Sequence, residues 1–173
     1  MRYWYDTEFI EDGSTIDLIS IGIVAEDGRE YYAISTEFDE SKASDWVKEN
    51  VLLHLPSRTE DAHKVVFQKK DWKPRGQIAG DLIHFCNPTL YGKPEFWAYY
   101  ADYDHVALCQ VFGTMMDLPK GWPRHTNDIK QFCDYLGNPK LPVQGKSEHH
   151  ALYDARWNRE AWEFLLQYQQ GTK

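Results

Sequence analysis

Three β-rich runs joined by two Asp-Gly turns fill the first 35 residues, and they constrain the fold more than any other feature. The runs are Arg2–Phe9, Asp17–Ala25 (in the stretch IDLISIGIVA) and Glu30–Ser35, with turns at Asp12-Gly13 and Asp27-Gly28. Glycine supplies the positive φ that tight hairpins need, so the pattern predicts an antiparallel meander. Helical spacing follows at Ser41–Leu53, with Trp46, Val47, Asn50 and Val51 along one side, and at Gly76–Cys86, with Ile78, Leu82, Ile83 and Phe85. A short strand is expected at Glu95–Tyr100, then a helix over Asp104–Phe112 stopped at Gly113. Further helices are predicted over Asn127–Leu136 and from His150 to Tyr168, whereas His54–Gly76, with Pro56 and Pro74, reads as a long loop. Three leading strands followed by alternating helices and strand indicate a single α/β domain with a mixed sheet flanked by helices.

At 173 residues the chain is long enough for one real core, and its 42% hydrophobic and 15% aromatic content argues against disorder. No apolar run approaches the roughly 18 residues of a membrane span. The start, MRYWYDTEF, lacks the basic and apolar regions of a signal peptide. Cys86, Cys109 and Cys133 are widely spaced without a CxxC pair, which reads as buried, reduced thiols in a cytoplasmic protein. The net charge of −8 runs against a protein that grips long nucleic acid through phosphates. It does not exclude a nuclease, because a carboxylate metal site is itself negative until filled. It suggests a short substrate footprint.

Three segments carry the chemistry. Asp6 and Glu8 sit two apart within the first strand, so both project to one face and Thr7 to the other. Like charges on a partly buried strand are costly unless a cation lies between them; an exposed edge strand is the plain alternative. Asp102 and Asp104 stand at a strand-to-helix junction, where a carboxylate either caps the helix or points into a cleft. The third segment is SEHHALYDAR, residues 147–156. A helix starting at Ser147 would put His150 and Asp154 on one face; a start near His150 leaves His149 in the preceding loop, free to approach a site that Asp154 joins. Acidic groups from three distant stretches suit hard divalent cations, a pair of which can stabilise both attacking and leaving oxygens in phosphodiester hydrolysis. A neutral histidine beside the attacking water would accept its proton near pH 7.

Those segments, D-T-E-F in the first strand, Y-D after a later strand and H-x4-D opening the last helix, resemble the three motifs of the DEDDh branch of RNase H-like 3′→5′ exonucleases. The stretches YDTEFIEDG, LISIGIVAEDGREYYA and YDHVALCQ are most similar to the exoribonuclease AS family. The resemblance implies an RNase H-like fold, two Mg²⁺ or Mn²⁺ ions, hydrolysis of single-stranded RNA from its 3′ end with preference for adenylate-containing tails, release of nucleoside 5′-monophosphates, and a homodimer. It implies that Asp6 bridges both metals, that Glu8 and Asp154 complete the first, that Asp104 supports the second, and that His149 is the general base. Helix spacing alone favours His150 over His149, and Y-D selects Asp104 over Asp102, so both choices rest on the resemblance.

The segment around Ser57–Arg75 is longer and more basic than the family pattern, and His63–Gly76 carries Lys64, Lys69, Lys70, Lys73 and Arg75 against the single acid Asp71, interleaved with Phe67 and Trp72. Lys69, Lys70, Trp72 and Arg75 are candidates for gripping phosphate and stacking a base; a solvated loop or a dimer contact is the other reading. Phe9 either stacks on the terminal base or belongs to the core. Two other functions compete with an exoribonuclease. A DNA exonuclease would use the same acids, and a non-catalytic nucleic-acid-binding protein would be expected to have lost one of them; none is missing.

Overall fold

The computed structural model describes residues 1–56, 69–145 and 148–171, with Lys69 described by its backbone. Its centre is a six-stranded mixed sheet in the order β4-β3-β2-β1-β5-β6. The strands are β1 (Arg2–Glu11), β2 (Ile16–Ala25), β3 (Glu30–Ser35), β4 (Trp72–Lys73), β5 (Glu95–Ala98) and β6 (Asn127–Asp128). β1–β3 form the expected meander; β4, β5 and β6 join parallel to their neighbours. Among the described residues six helices accompany it: α1 (Asp45–Asn50), α2 (Arg75–Phe85), α3 (Pro88–Tyr91), α4 (Asp102–Phe112), α5 (Ile129–Tyr135) and α6 (Ala151–Gly171). The single α/β domain is the predicted one, and a mixed sheet flanked by helices is consistent with the RNase H-like expectation.

Alternation along β1 decides what each face holds. Tyr3, Tyr5 and Phe9 pack with Leu18, Ile21, Ile78, Leu82, Leu108 and Val111, under α2 and α4. Trp4 faces the other way, into a cluster with Ile129, Cys133, Trp162 and Leu165 from α5 and α6. On that same side Ile10, Ile19, Ile34, Phe38 and Val51 form a third cluster at α1. Asp6 and Glu8 lie between these two apolar patches. Burying a large apolar side chain is worth about 1.5–3 kcal/mol, so Tyr3, Trp4, Tyr5 and Ile10, each at most 1% exposed, lock the strand's register. A one-residue slip would turn both acids to the wrong face.

The structure corrects several expected boundaries. The predicted helix at Ser41–Leu53 is broken into a 3-10 turn (Glu40–Lys42), α1 and a second 3-10 turn (Leu52–His54), because Ser44 caps α1 by accepting from the Val47 N–H at 3.2 Å. The predicted loop His54–Gly76 contains a 3-10 turn, β4 and the first residues of α2; its residues 57–68, including His63, Lys64 and Phe67, lie outside the described residues. β5 stops at Ala98 instead of running to Tyr100, and Tyr100 takes a positive φ of 56°. The expected helix at Asn127 begins at Ile129: Asn127 and Asp128 extend the sheet beside Trp97 and Ala98, and the Asp128 carboxylate caps α5 through the Gln131 N–H. All three cysteines are buried and free, as expected. Among the described residues no helix is long and apolar enough to cross a membrane.

Candidate active site

Asp6 and Glu8 from β1 meet Asp154 from the first turn of α6, each offering an oxygen such that the three atoms lie within 4.8 Å of one another. They line a cleft of about 570 Å³ together with Asp104 and His149. Five acids and bases singled out in the sequence are therefore brought to one place.

Asp104 arrives from the other side of the sheet. The parallel pairing of β1 with β5 covers Arg2–Trp4, and β5 then turns away, leaving the edge of β1 open beyond it. There Asp104, 5% exposed in the first turn of α4, accepts from both the Thr7 N–H (2.8 Å) and the Thr7 hydroxyl (2.6 Å) through one oxygen. It does not cap its own helix, and Asp102 is absent from the cleft lining. Thr7, read in the sequence as the residue facing away from the acids, is thus the clamp that orients one of them.

Asp154 is held at both oxygens. Gln144 donates to Oδ1 at 2.5 Å and the His149 N–H to Oδ2 at 2.9 Å. The second bond requires the left-handed backbone of His149, φ 67°, an uncommon state for a residue with a Cβ and the kind of strain that collects at functional sites. His149 therefore stands in the turn before α6, not on the helix, with its ring edge-on to Trp46 at 4.8 Å. His150 turns elsewhere: it stacks on Tyr32 at 4.5 Å, meets Tyr153 at 4.7 Å, and lines a different cleft. The Asn158 amide, one turn beyond Asp154, donates to the Tyr5 carbonyl at 2.8 Å and ties α6 to β1 beside Asp6.

Electrostatics make the cleft unstable as an assembly of anions. Burial, then the charges of Asp104, Glu8 and Asp154, push the Asp6 carboxyl well above its usual range. Burial, then Asp154 and Asp104, raise Glu8 to about 8. Asp104 is raised to about 7 by burial, against the opposing hydrogen bonds from Thr7. Asp154 is raised too, again chiefly by burial. Four carboxyls held above their ordinary values, with no basic side chain other than His149 on the lining among the described residues, are satisfied either by protons or by a metal cation. Oxygen-only donors at this spacing fit a hard divalent ion.

The family model and two relatives agree on kinship. Residues 1–166 match the family model described as the 3′-5′ exoribonuclease Rv2179c-like domain. The chain belongs to the Rv2179c-like 3′-5′ exoribonuclease family. Two Mycobacterium tuberculosis relatives, the 3′-5′ exoribonuclease MT2234.1 of strain CDC 1551 / Oshkosh and the 3′-5′ exoribonuclease Rv2179c of strain ATCC 25618 / H37Rv, are each 49% identical to it over 156 residues, 90% of this chain and 88% of theirs. A chain in the structure of the yeast NOT1 MIF4G domain co-crystallized with CAF1 shows a remote likeness, 12% identity and a TM-score of 0.46, covering 99% of this chain and 80% of that one.

The substrate-contact candidates of this family member separate in the structure. Phe9 lines the acid cleft and packs edge-on against Tyr103 at 5.7 Å. Trp72 stacks on Phe38 and donates from its indole to the Pro56 carbonyl, so it serves the apolar cluster at α1. Arg75 pairs with Asp17 and Glu37 at the start of α2 and is not part of the acid-cleft lining. Lys70 lines the other cleft, and the Lys69 side chain lies outside the described residues. Sequence reading missed the aromatic wall of the acid cleft, Trp46, Tyr99, Tyr100 and Tyr103, of which Trp46, Tyr100 and Tyr103 are 53%, 64% and 47% exposed. Helical spacing had placed Trp46 along one side of the expected helix, and the turn that exposes Tyr100 leaves no period to read. It also missed Gln144, which carries no local pattern.

Proposed function

We propose that the protein is a metal-dependent 3′→5′ exoribonuclease of the DEDDh type. It would remove nucleoside 5′-monophosphates from the 3′ ends of single-stranded RNA, adenylate-containing tails above all, acting as a homodimer in the cytoplasm. The observation that carries the reading is the meeting of Asp6, Glu8 and Asp154 oxygens within 4.8 Å beside Asp104 and His149. Kinship with proteins named 3′-5′ exoribonucleases supports the same direction and polarity of attack.

In this reading Asp6, Glu8 and Asp154 would hold one Mg²⁺ or Mn²⁺, and Asp6 with Asp104 would hold a second. Such a pair of cations stabilises charge on the attacking and leaving oxygens of a phosphodiester. The chain's own groups do the rest. The His149 imidazole, steadied by the edge of Trp46, takes the proton of the attacking water. Gln144 and the His149 N–H aim Asp154, and Thr7 aims Asp104, so the ligands are set before substrate arrives. The exposed rings of Trp46, Tyr100 and Tyr103 offer stacking faces to one or two unpaired bases, which suits a short footprint on an acidic protein.

The test is to incubate the protein with Mg²⁺ or Mn²⁺ and a 3′-oligoadenylate RNA, alongside DNA of the same sequence, and to resolve products by size. A ladder of single-nucleotide steps on RNA is expected, and Asp6→Ala should remove it. Cleavage that survives Asp6→Ala would overturn the metal reading, and a ladder on DNA in preference to RNA would overturn the substrate.

A further inference from the structure

We propose that Gly22 is a positioning residue of the metal site, its missing side chain being what lets the first turn of α6 sit on the sheet directly beside Asp6. The inference deepens the reading above and rests on it. Gly22 lies on β2 opposite Asp6 of β1 and next to Tyr32 of β3. A Cβ built there would come within 2.3 Å of the Ala151 carbonyl carbon and oxygen and of the Leu152 nitrogen.

All three of those neighbours are backbone atoms of the first turn of α6. A Cβ has no torsion by which to avoid them, and a backbone has no rotamer by which to yield. Relief to ordinary contact, 3.4 Å or more, requires helix and strand to part by about 1 Å. A functional constellation tolerates displacements of about 0.5 Å, so a shift of that size is enough to disorganise it. What moves is the helix end that carries Asp154 and the His149 N–H bonded to it, while Asp6 and Glu8 stay with β1. Farther along α6, Asn158 keeps its bond to the Tyr5 carbonyl and Trp162 its packing on Trp4, so the helix can tilt at its start without leaving the sheet. The other flank is held too, since His150 stacks on Tyr32, the strand neighbour of Gly22. Gly22 thus sets the distance between the β1 carboxylates and the α6 carboxylate.

Calorimetric titration of Mn²⁺ into metal-free protein reads this directly. Gly22→Ala should stay folded by circular dichroism and bind Mn²⁺ about 10–100-fold more weakly, the range seen when ligand-orienting groups are lost. Half-maximal RNA cleavage should need correspondingly more Mn²⁺. Gly80→Ala, at an α2 position where a Cβ meets nothing within 4 Å, is the control and should leave both unchanged. In an Asp154→Ala background, Gly22→Ala should cost little further affinity, because its effect passes through Asp154. If Gly22→Ala does not fold, Ala151→Val carries the test. Ala151 is fully buried in the first turn of α6, and the larger residue pries at that turn from the helix side. Wild-type Mn²⁺ affinity in the folded variant, or a loss that adds in full to that of Asp154→Ala, overturns the proposal. A wild-type protein that takes up no Mn²⁺ overturns the metal reading itself.

Discussion

Two clefts flank the start of α6, and they differ in how charge is matched. The acid cleft, about 570 Å³, gathers Asp6, Glu8, Asp104 and Asp154, all of one sign. The other, about 990 Å³, is lined by Tyr32, His150, Tyr153, Lys73, Glu30 and Arg156 among others. There the Arg156 guanidinium grips Glu30 with two bonds of 2.8 and 2.7 Å, and Lys73 meets Asp81 at 2.7 Å. Size would favour the larger cleft as the functional one. Charge points to the smaller: in the larger cleft Arg156, Glu30 and Lys73 are closed by their own neighbours and Asp71 is raised by burial, whereas the smaller gathers four raised carboxyls and is incomplete without a cation or protons. His149 and His150, adjacent in the chain, are divided between the two.

The sharpest way to break that comparison is to exchange the histidines' fates. His149→Ala should lower RNA cleavage by about 10²–10⁴-fold, the usual worth of a positioned general base, at unchanged Mn²⁺ affinity. His150→Ala removes two ring contacts worth about 0.5–1.5 kcal/mol each, so it should lower Tm while leaving cleavage largely intact. A reversed result would move the base to the larger cleft. A smaller effect is expected of Gln144→Ala. Without its bond to Asp154 Oδ1 the carboxylate can swing, and Mn²⁺ binding by calorimetry should weaken about tenfold.

pH separates the clefts without mutation. Glu8 and Asp104 are raised to about 8 and about 7 from ordinary values of 4.5 and 3.8. A raised carboxyl contributes stability in full below its unfolded value, and the contribution is lost as pH climbs through the folded value. Metal-free protein in EDTA should therefore lose Tm between about pH 4 and pH 8. Saturating Mg²⁺ should flatten that slope, because a bound cation favours the ionised forms. Glu30 runs the opposite way. Arg156 holds it below its ordinary value, so its contribution is present at neutral pH and fades as pH falls. An EDTA slope equal to the Mg²⁺ slope would mean that the acid cleft does not bind the cation.

Much of this was legible in the chain, and the illegible parts share a cause. The meander and the projection of Asp6 and Glu8 to one face follow from strand alternation and turn chemistry, which are local; the choice of His149 over His150 rested on resemblance. The RNase H-like expectation and the selection of Asp104 over Asp102 came from resemblance, and the Thr7 clamp supplies a physical reason for it that strand periodicity could not. β4 and β6 were missed because two-residue strands have no period; each exists only through its neighbour in the sheet. Trp72 and Arg75 looked like nucleic-acid contacts because basic and aromatic residues alternate there. In the fold, Trp72 packs on Phe38 and Arg75 pairs with Asp17, partners 34 and 58 residues away that no local pattern announces.

The smallest expected effect is the most discriminating about the larger cleft. Arg156 and Glu30 form a geometrically good pair, but their side chains are 44% and 35% exposed, and such pairs are worth about 0.2–1 kcal/mol after solvent screening. Arg156→Ala should thus lower Tm by a few degrees at most, an effect that shrinks further in high salt. RNA cleavage and Mn²⁺ affinity should stay at wild-type levels, because Arg156, two residues from Asp154, lines the larger cleft and not the acid cleft. If the larger cleft carried the RNA backbone, loss of Arg156 would instead raise KM for long substrates more than for dinucleotides, with a salt dependence of KM that weakens in the variant. Measuring KM for a dinucleotide and an oligoadenylate at two salt concentrations decides between a closed ion pair and a phosphate contact.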